Sequence, residues 1–282
     1  MKKVIINADD FGLCPGVNEG IIEAHQKGVL SSATLMANMP GFEQAVDLAK
    51  ANPKLGVGAH LNLVRGRPLS PPDRVQSLAA PDGRFYAKPL SIMKKIACRK
   101  IDPGEIEREL RAQLEKILQT GLPVTHLDSE KHIHALPLVF NIVARLAGDY
   151  GIKKVRFIRE YKISGHLFQS AKAVYLSLCC ALMKKRLQES GLVITDRFYG
   201  ISNSGRMTAA RLKKIMGRLR EGAAEIMVHP GFQTPELFAM EKDVGSYYIN
   251  RFRERELRAL TDESVRERLH GLGVQLINFN EL

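Results

Sequence analysis

The chain has 282 residues and carries 42 Lys and Arg against 30 Asp and Glu, a formal charge of +12. That length buries a large core and suits one barrel-sized domain over 1–282, since no linker-like shift, repeat or low-complexity tract divides it. The basic surface favours anionic surroundings. It comes without a recognised nucleic-acid-binding motif and with few interleaved aromatics, which argues against nucleic acid as a partner. Cys14, Cys98, Cys179 and Cys180 lack metal-finger spacing and fit a reducing compartment. The Met1-Lys2-Lys3 start leads into too short an apolar run for a signal peptide, and Ala173 to Met183 is too short to span a bilayer. The expected location is the cytoplasm.

Short β-branched runs alternate with helical patterns along the whole chain. The first predicted strand, Val4–Ala8, runs into Asn7-Ala8-Asp9-Asp10-Phe11-Gly12. Two adjacent carboxylates at a strand end repel unless a cation or a shared proton lies between them. Taken alone, the hexapeptide suits an Asx-type turn equally well. Helix Val17–Lys27, strand Ser32–Ala37 and helix Phe42–Ala51 follow. Strand Gly56–Leu63 carries His60 and opens into an insertion, Arg65–Lys100. Helix Gly104–Gln119 repeats Ile106, Leu110, Leu114, Ile117 and Leu118 at helical spacing. Strand Val124–Asp128 continues into Ser129-Glu130-Lys131-His132-Ile133-His134.

Helix Leu138–Tyr150 and strand Lys154–Ile158 lead to a second insertion, Arg159–Ser190, which contains the helix Leu167–Glu189. Then come strand Ile194–Gly200, helix Thr208–Arg220 and strand Glu225–His229, stopped by Pro230-Gly231. Helix Asp262–Leu272 and strand Gln275–Phe279 complete the chain. Thr208 and Asp262 are the expected N-caps.

Strand and helix alternating about eight times is the pattern of a (β/α) barrel, here TIM-like and irregular, with a doubly wound open sheet as its rival. In a barrel the carboxyl ends of the first, third, fourth and seventh strands converge on one mouth, and both insertions roof it. Five of the eight histidines sit in three of those strand-end segments. With the paired acids they form a ligand set for a divalent metal, which needs three protein ligands and open positions. Asp10 and His60 are the first two candidates. Asp128, Glu130, His132 and His134 share one face of an extended segment, so spacing leaves the third open. Asp9 is placed to accept a proton from an activated water and His229 to donate one to a leaving group. The plainer readings are a turn histidine at His229 and, at Asp128, a carboxylate that orients a histidine.

The motifs Asn7-Ala8-Asp9-Asp10-Phe11-Gly12, Gly58-Ala59-His60-Leu61, Thr125-His126-Leu127-Asp128-Ser129 and Val228-His229-Pro230-Gly231 together resemble those of the YdjC-like carbohydrate deacetylases. That family includes the chitooligosaccharide deacetylases. The resemblance runs to Arg253-x-x-Glu256-Leu257 and so covers essentially the whole chain. It implies a (β/α) barrel that removes an N-acetyl group from an amino sugar using a divalent metal, Mg2+ foremost, with Mn2+ and Zn2+ as alternatives. Thr195 to Gly200 followed by Ser204 to Thr208 is similar to the hopanoid-biosynthesis branch, whose implied substrate is a sugar-bearing hopanoid lipid.

By motif position Asp10 and His60 match family metal ligands. The third family ligand is a histidine directly after the Asp-Ser pair, and here Glu130 stands in its place. A carboxylate there favours Mg2+ or Mn2+ over Zn2+. Alternatively His132 or His134 takes over. Asp128, His132, His134 and Arg253 make up the expected substrate-binding or supporting set. A homodimer and peripheral membrane contact are further expectations. The contact falls on Leu167–Glu189, whose apolar stretch is flanked by Lys172 and Lys184-Lys185-Arg186. The plainer reading there is a barrel helix with a solvated basic end. Two rival functions are a non-catalytic barrel binding a glycan or lipid headgroup and another metal-dependent hydrolase, such as a phosphoesterase.

Overall fold

A computed structural model describes residues 1–86, 89–160, 167–241 and 252–282. Six parallel strands lie side by side in the order β4-β3-β2-β1-β6-β5. They are β1 (Lys2–Phe11), β2 (Ser32–Leu35), β3 (Gly56–Leu61), β4 (Val124–Ser129), β5 (Arg197–Tyr199) and β6 (Gly222–Val228). A short β7 (Val274–Leu276) pairs with the first residues of β1, on the edge that β2 takes over from Asn7 onward. Helices surround this curled sheet. Both faces of β1 are therefore buried, which is why it reads as an unbroken apolar run.

The helices turn apolar stripes inward, among them Val17 and Ile21 on Pro15–Lys27 and Ile106, Leu110 and Leu114 on Pro103–Leu118. A separate small cluster, Ile5, Ile277 and Phe279, lies where the chain end meets β1. His126 stacks on Phe279 with ring centroids 3.5 Å apart. A Cβ at Gly58 would stand 2.4 Å from that imidazole, so only glycine fits beside it. His126 is thereby part of the packing, away from the mouth.

The expected eight-stranded closure is not reached. Between β4 and β5 the chain at Lys154–Ile158 is extended but forms only isolated bridges, to Leu127 on one side and to Val193 on the other. Its neighbour Ile194–Gly200 shrinks to Arg197–Tyr199. Before it, the Asp196 side chain accepts the Ala223 N–H at 2.8 Å, taking a donor that a backbone ladder would use. After it, Gly200 sits at φ 134°. The predicted Gln275–Phe279 shortens to β7 because Asn278 builds a capping box and turns Phe279–Glu281 into a 3-10 helix.

Leu167–Glu189 breaks at Met183 into Leu167–Leu182 and Lys184–Glu189. Thr208 and Asp262 cap their helices as expected, accepting from Arg211 at 3.4 Å and Ser264 at 2.9 Å. Among the described residues no helix is long and apolar enough to cross a membrane, and all four cysteines are free. Positions 87–88 and 161–166 of the two expected insertions lie outside the described residues, His166 with them.

Candidate active site

Successive side chains of a strand point to opposite faces, so Asp9 and Asp10 would ordinarily diverge. The pairing of β1 with β2 slips between Ala8 and Phe11, and Asp10 takes a left-handed conformation at φ 70°. Such a bulge re-aims a side chain. Both carboxylates end up buried around His60, each within one of two groups of potential ligands that share it. Lys131 and His132, at φ 53° and 61°, put a second left-handed kink just after β4. Three of the four non-glycine residues with positive φ among the described residues thus belong to this site. Strain of this kind persists only where the surroundings hold it in place.

One cluster is centred on Arg156. Its guanidinium forks onto Asp9 at 2.7 and 2.8 Å, touches Asp128 at 2.7 Å and reaches Glu225 at 2.7 Å through Nε. Phe198 lies under it, 5.4 Å from ring centroid to Cζ. Burial opposes charge on Asp128, but Arg156 and His60 outweigh it and hold that carboxyl far below its usual range. For Asp9 burial, helped by the Asp128 charge, outweighs Arg156 and raises the pKa.

The second cluster is centred on His60 Nε2. Asp10 gives Oδ2 to Arg253 at 2.6 Å and turns Oδ1 toward Nε2, 4.0 Å away. Glu130 gives Oε1 to Arg65 at 2.5 Å and turns Oε2 toward Nε2 at 3.4 Å. On the other side of the ring, Nδ1 meets Asp128 Oδ1 at 2.7 Å and Thr34 Oγ1 at 3.1 Å. A carboxylate on one ring nitrogen is what orients a metal-binding histidine and fixes its tautomer. Burial works against charge on His60, yet Asp128 and Glu130 hold its pKa well above the usual range. Positive charge is therefore favoured at this point. The donor atoms of Asp10, His60 and Glu130 lie within 4.8 Å of one another. Two carboxylate oxygens and one imidazole suit a divalent cation, so the residues present fit a metal.

His229, at the carboxyl end of β6, lines a cavity of about 20 Å³ with Asp9, Glu130, Lys131, His132 and Lys172. That volume admits about one water molecule. Its backbone N–H donates to Glu256 Oε2 at 2.6 Å, and its Nδ1 stands 3.8 Å from the same oxygen. Burial pushes His229 down to about 3 and Glu256 up to about 7. Arg253 and Glu256 are three residues apart on the helix Phe252–Leu260, so one side of it supports Asp10 and His229 together.

Of the three alternatives for the third ligand, the structure brings Glu130 to Asp10 and His60. His134 spends both ring nitrogens inside the fold, on Ser129 at 2.6 Å and on the Arg156 carbonyl at 3.1 Å. His132 lines the cavity. Asp128 orients His60, and Arg253 braces Asp10. Arg65, Arg156, Thr34 and Glu225 belong to the site without having been singled out from the sequence, and Glu256 appeared there only as part of a motif. Arginine at a strand end reads as surface charge unless an acid is known to face it.

Residues 3–271 match the YdjC-like protein family. Among curated proteins the chain is 38% identical to a carbohydrate deacetylase of Brevibacillus brevis, with 99% of both chains covered. It is 39% identical to one from Geobacillus stearothermophilus, covering 98% of this chain and 96% of that one. The human carbohydrate deacetylase is 32% identical over 99% of this chain and 91% of its own. A crystal structure from Enterococcus faecalis, described as a candidate cellobiose-phosphate cleavage protein, superposes with a TM-score of 0.80 at 27% identity, covering 99% and 98% of the two chains.

Proposed function

The chain belongs to the YdjC-like family, and on that premise we propose that it is a metal-dependent carbohydrate deacetylase acting on an N-acetylated amino sugar. The sugar is free, as in a chitooligosaccharide, or carried on a lipid such as a glycosylated hopanoid. The observation that carries this reading is a pair of carboxylates with one oxygen each clear of arginine: Asp10 Oδ1 faces His60 Nε2 and Glu130 Oε2 hydrogen-bonds it, while their other oxygens are tied to arginines. Asp10, His60 and Glu130 would hold the ion, and an oxygen-rich set favours magnesium or manganese. A bound divalent cation supplies Lewis acidity for the acetyl carbonyl and for the attacking water.

The remaining work falls to the chain's own groups. Asp9, with its raised pKa, is a stronger base than an ordinary carboxylate and takes the proton released as water attacks. His229 delivers a proton to the departing amine, which does not leave as an anion at neutral pH. Sequence alone puts an alkaline limb near an ordinary histidine pKa of about 6.5. In the structure burial keeps His229 neutral at rest, so it donates only after receiving a proton itself. Asp9 lines the same cavity and is the source of that proton. The activity profile then carries no histidine limb near neutrality.

Incubating metal-loaded protein with N-acetylglucosamine oligomers and N-acetylglucosaminyl lipids tests the reading. Acetate and free amine should appear in equal amounts. Release of phosphate from phosphosugars instead would make it a phosphoesterase, and no product from either class would leave a binding barrel.

A further inference from the structure

We propose that the protein docks on an anionic lipid bilayer through the outer face of the helix Leu167–Leu182, beside the mouth. Five large apolar side chains on this helix face outward: Leu167 is 76% exposed, Phe168 68%, Tyr175 47%, Leu178 55% and Leu182 73%. Phe168, Tyr175, Leu178 and Leu182 recur at the spacing of one helical stripe. The opposite stripe, Ser170, Ala173, Ser177 and Cys180, is already buried against the protein. The helix is thus largely apolar on two sides, and only one of them has a partner among the described residues.

The surroundings say what covers the other side. Past Met183 the chain presents Lys184, Lys185 and Arg186, all exposed. Glu189, the one carboxylate between Leu167 and Glu189, stands 4.0 Å from Lys185 and 3.7 Å from Arg186. An apolar stripe ending in a basic cluster matches a bilayer with anionic headgroups, which takes up the side chains and attracts the charge. A second copy of the same surface brings an apolar stripe but no acidic patch to meet the basic end.

The location suits an interface. Leu167–Leu182 packs against the Glu130–Ala135 turn and carries Lys172 to the cavity that His229 lines. The helix Pro89–Ala97 packs on the same turn, exposes Leu90 at 75% and carries Lys94 and Lys95. The surface that would meet the bilayer is therefore continuous with the rim of the site. Docking would bring the mouth to sugars held at the headgroup level. The inference rests on exposure and charge and does not require the deacetylase reading.

Vesicle sedimentation with the full chain tests it without any turnover. The protein should pellet with phosphatidylglycerol-containing vesicles at low salt, pellet less as salt rises, and stay soluble with pure phosphatidylcholine. The pair Phe168→Ser and Leu182→Ser should weaken pelleting by at least about tenfold, the worth of one large apolar side chain withdrawn from water. Lys184→Glu with Lys185→Glu should remove the salt dependence. Unchanged circular dichroism in the variants confirms that the fold is intact. Failure of the full chain to pellet with anionic vesicles overturns the proposal, as does wild-type pelleting by the Phe168/Leu182 variant. A concentration-dependent dimer that this variant dissolves, without vesicle binding, would assign the face to a second copy instead.

Discussion

Asp9 and Asp10 are chain neighbours at one strand end, yet they enter two clusters that differ in how far each is filled. On the Arg156 side Asp9 and Asp128 have both oxygens engaged, by one guanidinium together with Asn7, Thr34 and His60. On the His60 side Asp10 and Glu130 each give one oxygen to an arginine and keep the other facing Nε2. The same residue types serve two purposes. A filled cluster is chiefly framework, since a cation could not be added to Asp9 and Asp128 without removing a partner, and Asp9 alone of its members also opens onto the cavity that His229 lines. A half-filled one presents donors already aimed and braced, which is what a metal site requires.

The comparison breaks most visibly at Arg156. Replacing it with Met leaves Asp9, Asp128 and Glu225 buried without their shared cation. Stranding one such charge costs about 3–5 kcal/mol, a large part of the roughly 5–15 kcal/mol that holds a domain together. Arg156→Met should melt far below the wild type or fail to fold, as followed by circular dichroism. A variant that melts like the wild type would show that the framework lies elsewhere. His229→Ala, by contrast, should leave melting nearly unchanged and slow acetate release by roughly 100- to 10,000-fold, the usual worth of a positioned proton donor. Metal affinity should hold in that variant, since His229 is not among the three converging donors. A loss below tenfold would remove it from the chemistry.

Glu225 sharpens the contrast at smaller scale. Burial, with Asp128 and Asp9 adding to it, outweighs Arg156 and raises its pKa from 4.5 to about 7. The folded state then binds this proton more tightly than the unfolded state does. Its contribution favours folding fully below the unfolded value of 4.5 and is lost as pH rises through about 7. Chemical denaturation of wild type and Glu225→Gln across pH 5 to 8 should show the wild type losing ground to the variant as pH rises. A constant difference would mean that Glu225 is ionised throughout.

The half-filled cluster was largely legible in the sequence, whereas of the filled one Asp9 and Asp128 were legible and Arg156 and Glu225 were not. Asp10 and His60 announce themselves because an apolar run stops at a group that has no reason to be buried, and Glu130 by its place after Asp128-Ser129. Arg156 sits inside Lys154–Ile158, where an apolar run reads as a strand and its arginine as an outward side chain. The bulge that turns Asp10 beside Asp9 depends on register with β2, which pattern does not encode. The shortening of β5 and β7 came from local side-chain bonds of Asp196 and Asn278 that compete with the ladder. The lowered pKa of His229 comes foremost from burial, with Arg253 and Lys131 adding to it, and is visible only once neighbouring elements are packed around it. Arg253 and Glu256 were visible as a motif, but their separate tasks on Asp10 and His229 appear only in the folded helix.

Asp10, His60 and Glu130 would hold a divalent cation through the imidazole and the carboxylate oxygens that the arginines leave clear. Titration of metal-stripped protein with Mn2+, followed by calorimetry and by electron paramagnetic resonance, tests this without reference to turnover. The wild type should bind one ion per chain. Asp10→Asn and His60→Ala should each weaken binding by more than about 100-fold, beyond the 10- to 100-fold typical of losing a supporting partner, while melting stays close to the wild type. No binding by the wild type, or undiminished binding by Asp10→Asn, would contradict it.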